Sequence, residues 1–256
     1  MIHRSAVIDA EARVHESCEI GPFCVVGADV EIGAGTVVGP HVVINGPTII
    51  GEQNRIFQFA SIGEDPQDLK FDGEQSRLEI GDRNKIREFV TINRGTTGGG
   101  GVTRIGNDNL LMSYVHIAHD CLVGNNTVFA NSASLAGHVE VGDYAILGGF
   151  SLIHQFSRIG AHSFSGMGSV INKDVPPFVL VSGHYAEAVG INKEGLKRRG
   201  FSSEEISALR KVFVELVKRR GVKSDEVYAQ IDAMAQEYPR VLEFVEFIKK
   251  GKRGTV

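Results

Sequence analysis

The chain of 256 residues contains no tryptophan, three cysteines and seven prolines. Aromatic residues make up only 7% of it, so its core must be built mainly from aliphatic side chains. The chain has no excess of positive charge either, because it contains 27 Lys and Arg residues and 31 Asp and Glu residues. The resulting net charge of −4 argues against a general nucleic-acid-binding protein.

Long apolar runs are also missing. No run approaches the roughly 18 residues of a membrane-spanning helix, and the N-terminus MIHRSAVIDA lacks the apolar segment of a secretory signal. We therefore expect a cytoplasmic protein with reduced thiols and no integral membrane segment. Cys18, Cys24 and Cys121 all occupy the small-residue position of the repeat described next, which favours buried thiols over a disulfide or a nucleophile.

The abundant feature is an aliphatic residue that recurs every sixth position from Ile8 to Ile171, with two interruptions. Of the 25 positions in this series, only Ser165 is not apolar. Neither an amphipathic helix nor a lone strand has this period. A hexapeptide β-helix does, because each short strand ends at a corner and points its aliphatic side chain into a narrow prism. The sequence therefore predicts a β-solenoid, a parallel β-helix of hexapeptide repeats.

This repeat resembles that of the left-handed hexapeptide acyltransferase superfamily. The resemblance implies a left-handed parallel β-helix, against the usual right-handed crossover rule, and the spacing alone does not determine the hand. A coil of this type leaves flat sides exposed, and members of the superfamily cover them by forming trimers. The resemblance therefore also implies a homotrimer.

Two segments interrupt the repeat, at 63–79 and 95–104, and both are expected to be loops. The second shifts the register by one residue. Loops inserted into a repeat scaffold often carry function. The repeat is expected to end at Asp174–Pro177, where two prolines stop the strand pattern. We assign residues 1–190 to the β-helical domain.

Residues 191–256 are predicted to form a C-terminal α-helical domain, because the apolar periodicity becomes helical there. Ser202 and Glu205 form a capping-box signature at the start of one helix. A second helix is expected near Asp225 to Tyr238, and Pro239 is expected to open a third.

A triangular coil of about 18 residues places residue n beneath residue n+18, at a strand spacing of about 4.8 Å. His119 is thus expected beneath Gly137, and Asp120 beneath His138. The strings IAHDC (117–121), LAGHV (135–139) and IHQF (153–156) then form one polar stripe on an aliphatic scaffold. Four of the nine histidines lie on or near it: His116, His119, His138 and His154.

The stripe allows three interpretations. Its histidines can be hydrogen-bonded surface groups, which the convergence of four of them disfavours. They can hold a metal, but we expect no metal site because no cysteine or carboxylate joins the stripe in a typical ligand pattern. A neutral imidazole can instead act as a general base towards a substrate hydroxyl. Gly137 can then offer its backbone N–H to an oxyanion.

Longer strings resemble one family over nearly the whole chain: the O-acyltransferases that acylate UDP-N-acetylglucosamine from acyl carrier protein, in the first step of lipid A biosynthesis. The strings are QFASIGEDPQDLK (58–70), IGDRNKIREFVTINRGT (80–96), LLMSYVHIAHDCLVGN (110–125), LAGHVEVGD (135–143), IHQFSRIGAHS (153–163) and INKEGLKRRGFS (191–202). The parts IAHDC, QDLK and NKEGLKRRG are more specific than the hexapeptides, which many acetyltransferases share.

The resemblance implies that His119 is the general base, that Asp120 orients it and that the Gly137 N–H binds the oxyanion. It places the sugar and diphosphate at His116, His138, His154 and Gln155. It places the glucosamine and phosphate region at Gln67, Asp68 and Lys70, and the nucleotide at Asn192, Glu194, Arg198 and Arg199.

Some of these residues have a simpler interpretation. Lys70, Arg198 and Arg199 can be solvated cations, although Arg matches phosphate geometry well. Asn192 and Glu194 can equally be a helix N-cap and its first-turn acid.

The resemblance also gives Met167 a role as the residue that limits acyl-chain length, because members that take longer chains have glycine there. Met167 lies 48 residues after His119, two and two-thirds coils, which is about 13 Å along the axis and similar to about ten extended carbons. We expect a preference for 3-hydroxydecanoyl donors. A methionine that fills a core gap is the alternative.

The reaction implied is direct transfer of a (3R)-3-hydroxyacyl group from acyl carrier protein to the 3-hydroxyl of UDP-N-acetylglucosamine, without a covalent acyl-enzyme, metal or other cofactor. Two alternatives remain. A related N-acyltransferase of the same pathway carries an extra N-terminal domain, whereas this chain enters the coil by Ile8. A non-catalytic trimeric scaffold would not need His119 aligned with Gly137.

Overall fold

The computed structural model describes residues 1–219, 221, 224–251 and 253–256. Short parallel strands stack into three faces of one coil. Where no loop intervenes, paired residues lie 18 positions apart, as His116 does from Ser134. We call the corner between the first and second faces the first edge, that between the second and third faces the second edge, and that between the third and first faces the third edge.

The strands of each face follow in the order of their pairing. The first face holds Val7–Ile8, Val25–Val26, Val43–Ile44, Ser61–Glu64, Thr91–Asn93, His116–Ile117, Ser134–Leu135, Leu152–Ile153 and Val170–Ile171. The second holds Arg13–Val14, Val30–Ile32, Thr48–Ile50, Arg77–Ile80, Val102–Ile105, Leu122–Val123, Glu140–Val141 and Arg158–Ile159. The third holds Glu19–Ile20, Val37–Val38, Arg55–Ile56, Lys85–Ile86, Leu110–Leu111, Val128–Phe129, Ile146–Leu147, Phe164–Ser165, Val179–Gly183 and Ala186–Ile191.

The repeated aliphatic side chains form the core of the coil, as the period predicts. Ile44, Ile62 and Leu135 are fully buried, and burial of each such side chain contributes roughly 1.5–3 kcal/mol relative to exposure. Ser165, the one polar member, lies inside the coil with its hydroxyl 2.8 Å from the hydroxyl of Ser151. Its hydrogen-bonding capacity is satisfied by this contact and by the backbone N–H of residue 148.

The three cysteines are free and buried, which confirms the prediction of buried thiols. The Cys24 Sγ lies 2.9 Å from a backbone carbonyl oxygen and the Cys121 Sγ lies 3.2 Å from another, each as a donor. Burial raises the pKa of the Cys121 thiol to about 12. A thiol held in its neutral form is a poor nucleophile, so Cys121 acts as a small core residue.

Both insertions leave the coil at the first edge. Ile50 pairs with Ile80, 30 residues later instead of 18, so the first loop adds 12 residues. Thr91 pairs with His116, 25 residues later, so the second loop adds seven. Seven is one hexapeptide plus the single residue of register shift that the sequence predicts, which confirms that prediction.

The predicted end of the repeat at Asp174–Pro177 is wrong. Val175 makes a bridge to Ile159 on the second face, and Val179–Gly183 then pairs with Phe164–Ser165 on the third. The prolines are tolerated because they lie at the corner between these two positions, where no ladder N–H is needed. The strand Ala186–Ile191 turns back antiparallel and closes this end of the face.

Helices follow the last strand. Their bounds are Lys193–Arg198, Ser203–Phe213 with a π-helical turn at Val214–Lys218, Asp225–Glu237 and Pro239–Lys249. The capping box at Ser202 and Glu205 is present with both of its hydrogen bonds, at 2.8 and 3.1 Å, which confirms that signature. The helices pack on the end of the coil, where Phe244 is buried within 6.4 Å, centroid to centroid, of Phe178.

Candidate active site

The polar stripe lies along the first edge, in the layers that the sequence predicts. The His138 N–H donates to the His119 carbonyl at 3.0 Å, and the Phe156 N–H donates to the Gly137 carbonyl at 3.1 Å. These bonds place residues 118–121, 136–139 and 154–157 in successive coils of one corner. Both inserted loops leave from the same edge, so loop residues lie beside the stripe.

His119 and Asp120 form a hydrogen-bonded pair on this edge. The Nδ1 of His119 lies 2.8 Å from the Oδ2 of Asp120. The His119 side chain is 12% exposed, while that of Asp120 is fully buried. Because a carboxylate can only accept, Nδ1 carries the proton in the neutral ring and Nε2 keeps its lone pair. A buried acceptor that sets the tautomer of a partly exposed imidazole is the arrangement of a general base.

Gly137 lies against the imidazole of His119. A methyl group on its Cα would come 2.5 Å from Cε1 and 2.7 Å from Nε2 of the ring. Among the residues that the structure describes, no acceptor takes a hydrogen bond from the Gly137 N–H. That N–H is available beside the nitrogen expected to act as base.

His116 and His138 flank His119 and favour their neutral forms. Burial lowers the pKa of His116, and the nearby His119 lowers it further. The Nδ1 of His116 is hydrogen-bonded to the Thr91 hydroxyl at 2.7 Å. Burial also lowers the pKa of His138 and outweighs the carboxylates of Asp120 and Asp68, which raise it. Neutral imidazoles can both donate and accept, which suits contact with a sugar diphosphate.

Sequence reasoning missed three residues of this site. Thr96 hydrogen-bonds the Asp120 carboxylate from the second loop, and the Thr103 hydroxyl accepts from the Asp120 N–H at 2.8 Å. Phe156 stacks on His138 with ring centroids 4.4 Å apart. The available signal for Thr96 was its place in the inserted loop, two residues before a run of four glycines.

The expectation that no carboxylate joins the histidines in a ligand set was wrong. His119, Asp120 and His138 offer ligand atoms within 4.8 Å of one another. However, the Oδ2 of Asp120 already accepts from His119 and from the Thr96 hydroxyl. A metal bound at this oxygen would have to displace His119 or Thr96 from it.

The first loop brings Asp68 close to the stripe. Asp68 is near enough to influence the pKa of His138, and its Oδ1 accepts from the Lys70 N–H at 3.0 Å. Gln67 and Lys70 are exposed. His154 and Gln155 are exposed on the first edge, where the His154 Nδ1 lies 3.2 Å from an Arg253 nitrogen.

The predicted nucleotide residues lie on the second edge instead. Asn192 caps the helix Lys193–Arg198 by accepting from the Gly195 N–H at 3.2 Å, and its Nδ2 donates to the His162 carbonyl at 2.9 Å. The N-cap alternative for Asn192 is therefore correct. Glu194 is the first-turn acid of that helix.

Two arginines follow at the end of the same helix. Arg198 is exposed. The Arg199 guanidinium lies over the Tyr144 ring, 4.3 Å from its centroid. This stacking leaves the charged group at the surface, on an edge that the stripe does not share.

Met167 lies on the third edge, between Phe164–Ser165 of the third face and Val170–Ile171 of the first. Its side chain is 81% exposed, so the core-filling alternative is wrong. His119 lies on the first edge. The axial distance of about 13 Å that follows from the strand spacing therefore does not measure the separation of His119 and Met167 within one chain, because the two residues lie on different edges.

Curated relatives match the chain from end to end. It is 55% identical over 255 residues to the acyl-[acyl-carrier-protein]--UDP-N-acetylglucosamine O-acyltransferase of Thiobacillus denitrificans, covering 100% of this chain and 98% of that protein. The protein of the same name from Pseudomonas putida is 55% identical to this chain over 249 residues, which cover 97% of this chain and 96% of that protein. The chain belongs to the UDP-N-acetylglucosamine O-acyltransferase family.

Solved structures and family models agree with membership of this O-acyltransferase family. The Moraxella catarrhalis UDP-N-acetylglucosamine O-acyltransferase superimposes with a TM-score of 0.96 at 48% identity, covering 100% of this chain and 99% of that one. The model described as UDP N-acetylglucosamine O-acyltransferase, domain 2, matches residues 174–256. The bacterial transferase hexapeptide model matches residues 11–46 and 103–137.

The family assignment disfavours the N-acyltransferase alternative, because the relatives are named O-acyltransferases. No helix among the described residues is long and apolar enough to span a membrane. The division of this O-acyltransferase chain at residue 190 stays a prediction.

Proposed function

We propose that the chain transfers a (3R)-3-hydroxyacyl group, with 3-hydroxydecanoyl as the preferred one, from acyl carrier protein to the 3-hydroxyl of UDP-N-acetylglucosamine, the first step of lipid A biosynthesis. The observation that carries this proposal is the pair of His119 and Asp120, 2.8 Å apart on an edge with two loops beside it. Membership of the O-acyltransferase family supports it.

The chemistry needs one base and one oxyanion site. The Nε2 of His119 takes the proton of the sugar 3-hydroxyl while the oxygen of that hydroxyl attacks the thioester carbonyl carbon. The Gly137 N–H stabilises the negative charge on the carbonyl oxygen of the tetrahedral intermediate. The intermediate collapses by breaking the carbon–sulfur bond, and the imidazolium gives its proton to the departing thiolate, which leaves as the thiol. No covalent acyl-enzyme is needed.

The proposed substrate residues support a homotrimer. His119, His138, Gln155 and the first loop belong to the first edge, the residues from Asn192 to Arg199 to the second edge, and Met167 to the third. One chain therefore does not gather these three sets in one place. If copies pack around a threefold axis, different edges of neighbouring coils face one another, and sites form at subunit junctions.

We infer a left-handed coil, because the family resemblance carries that hand. The three free, buried cysteines are consistent with our proposal of a cytoplasmic location, where thiols stay reduced. No metal or organic cofactor is invoked in the reaction.

The test is a direct transfer assay. Purified protein is incubated with UDP-N-acetylglucosamine and 3-hydroxydecanoyl-acyl carrier protein, and the acylated nucleotide sugar is measured by mass spectrometry. His119→Ala is expected to lower turnover by about 10²- to 10⁴-fold, with little change in melting temperature. The matched control is His15→Ala, which removes an exposed histidine at another corner, bonded to the Ser17 hydroxyl at 2.8 Å.

The outcomes separate the parts of the proposal. No acylated product with wild-type protein would overturn the function. Retention of more than about a tenth of wild-type activity by His119→Ala would reject His119 as the base. Light scattering should give three times the chain mass of 27.7 kDa, and a fully active monomer would contradict the trimer.

A further inference from the structure

The carboxylate of Asp120 is held by the second loop. The Thr96 N–H donates to its Oδ1 at 2.8 Å, and the Thr96 hydroxyl donates to its Oδ2 at 2.7 Å. The same Oδ2 accepts from His119 Nδ1 at 2.8 Å. Thr96 is itself nearly buried, with 5% of its surface exposed. One threonine therefore fixes both oxygens of the group that orients His119.

The loop also requires a glycine where it crosses the carboxylate. A methyl group on the Cα of Gly99 would overlap the carboxylate carbon and both oxygens of Asp120. The neighbouring Gly98 faces the other way, and a methyl group there would find its nearest atom, the Thr96 hydroxyl oxygen, at 3.9 Å. Neither glycine has a left-handed backbone, so space decides what fits at Gly99.

The loop is closed on itself by backbone bonds. The Thr96 carbonyl accepts from the Gly101 N–H at 2.8 Å and from the Gly99 N–H at 3.0 Å. At its base, the Arg77 N–H donates to the Gly101 carbonyl at 2.9 Å. These bonds restrict the loop to one path, so Thr96 and Gly99 keep their places over Asp120.

We propose that residues 95–101 act as a clamp that positions the His119–Asp120 pair, with Thr96 as its hydrogen-bonding residue and Gly99 as the residue that makes room for the carboxylate. This rests on the proposed function of His119. Released from Thr96, the carboxylate would rotate about its χ2 bond and lose its contact with Nδ1. The imidazole could then carry its proton on Nε2, where it could not act as base.

The first test removes the threonine hydroxyl. Thr96→Val is expected to lower kcat about tenfold with unchanged KM for UDP-N-acetylglucosamine, and Thr96→Ser to restore it. The matched control is Thr127→Val. Thr127 is fully buried, and its N–H and hydroxyl both donate to the Asn109 Oδ1 at 2.7 Å, away from the stripe. It should lose a similar amount of stability without loss of kcat.

The second test compares two neighbouring glycines. Gly99→Ala is expected to lower kcat about 10²-fold, since displacement of a catalytic group by about 1 Å costs this much. Gly98→Ala, in the same loop, should keep wild-type kcat. Calorimetric titration with UDP-N-acetylglucosamine checks that each variant is folded and binds the nucleotide sugar.

The outcomes distinguish this proposal from the one it rests on. If Thr96→Val keeps wild-type kcat while His119→Ala is inactive, the clamp is overturned and the base remains. If Thr96→Ser is as slow as Thr96→Val, or Thr127→Val loses as much kcat, the hydroxyl does not act through Asp120 and the clamp is overturned. If His119→Ala is active, both proposals fail. Should Gly99→Ala not fold, the threonine series decides alone.

Discussion

Gly137 and His119 lie one coil apart on the same edge, and the glycine leaves the space that the imidazole occupies. A methyl group at residue 137 would sit 2.7 Å from the Nε2 of His119, the nitrogen that Asp120 leaves free. The absence of a side chain at this position therefore has a geometric cause. It keeps the proposed base in place and leaves a backbone N–H beside it.

Gly137→Ala should lower kcat by about 10²-fold, because the new methyl group must push the imidazole out of line. The control is Gly27→Ala, a glycine at the same edge of the coil, where the nearest atom to a new methyl group is 3.5 Å away. Steady-state kinetics and melting temperatures of both variants are the measurements. Wild-type turnover by Gly137→Ala would show that the ring has room to move.

Met167→Gly should shift donor preference from 3-hydroxydecanoyl towards 3-hydroxymyristoyl thioesters. We expect the ratio of kcat/KM for the longer donor to that for the shorter one to rise at least about tenfold, because an exposed thioether no longer blocks the chain. Turnover of the ten-carbon donor by the same variant is the internal control. Wild-type protein that used both donors equally would contradict the ruler and leave the reaction unaffected.

His162 should make the folded protein less stable as the pH falls. Burial among Tyr144, Phe178 and Phe201, together with the nearby positive charges of Arg199 and Arg240, lowers the pKa of His162 from 6.5 to about 4. Between these two pH values the unfolded chain binds a proton here and the folded chain does not. The free energy of unfolding therefore decreases from pH 6.5 towards pH 4.

His162→Phe keeps the ring stack and removes this titration. Its free energy of unfolding, measured in urea across that pH range, should decrease less than that of the wild-type protein. Equal slopes for the two proteins would show that His162 takes up its proton in the folded state as readily as in the unfolded state.

Asp174 should be a large contributor to the stability of the end of the coil. Its Oδ2 accepts from the Arg158 guanidinium at 2.8 and 2.9 Å, and the same guanidinium reaches the Phe247 carbonyl in the last helix at 2.9 Å. The Asp174 side chain is 1% exposed. Asp174→Ala leaves the Arg158 guanidinium, whose side chain is 19% exposed, without its partner, and this should cost about 3 kcal/mol.

The matched control for Asp174 is Asp108→Ala. Asp108 also binds one arginine, Arg83, through two bonds of 2.8 Å, but both side chains are more than a third exposed. Loss of this exposed pair should cost at most about 1 kcal/mol. Urea denaturation at equal protein concentration compares the two variants, and equal losses would contradict the distinction between buried and exposed pairs.

The coil and its layering follow from the amino-acid sequence alone. An aliphatic residue at every sixth position can be buried only if each short strand turns a corner, so the period predicts three faces and a register of 18, as between His116 and Ser134. Counting in that register places His119 beneath Gly137 without any structure. The capping box at Ser202 likewise predicts a helix start from local hydrogen bonding alone.

The support of the site, and the set of residues that share an edge, depend on contacts between distant parts of the folded chain. Thr96 reaches Asp120 across 24 residues of sequence, and no period relates them, because a loop leaves the repeat and returns by a path that its glycines permit but do not specify. The side-chain rotation that turns Asp120 towards His119 is set by those contacts. Pro176 and Pro177 were misread for a related reason, since a proline interrupts a strand only where the ladder needs its N–H, and the corner that removes this need exists only once the coil has formed.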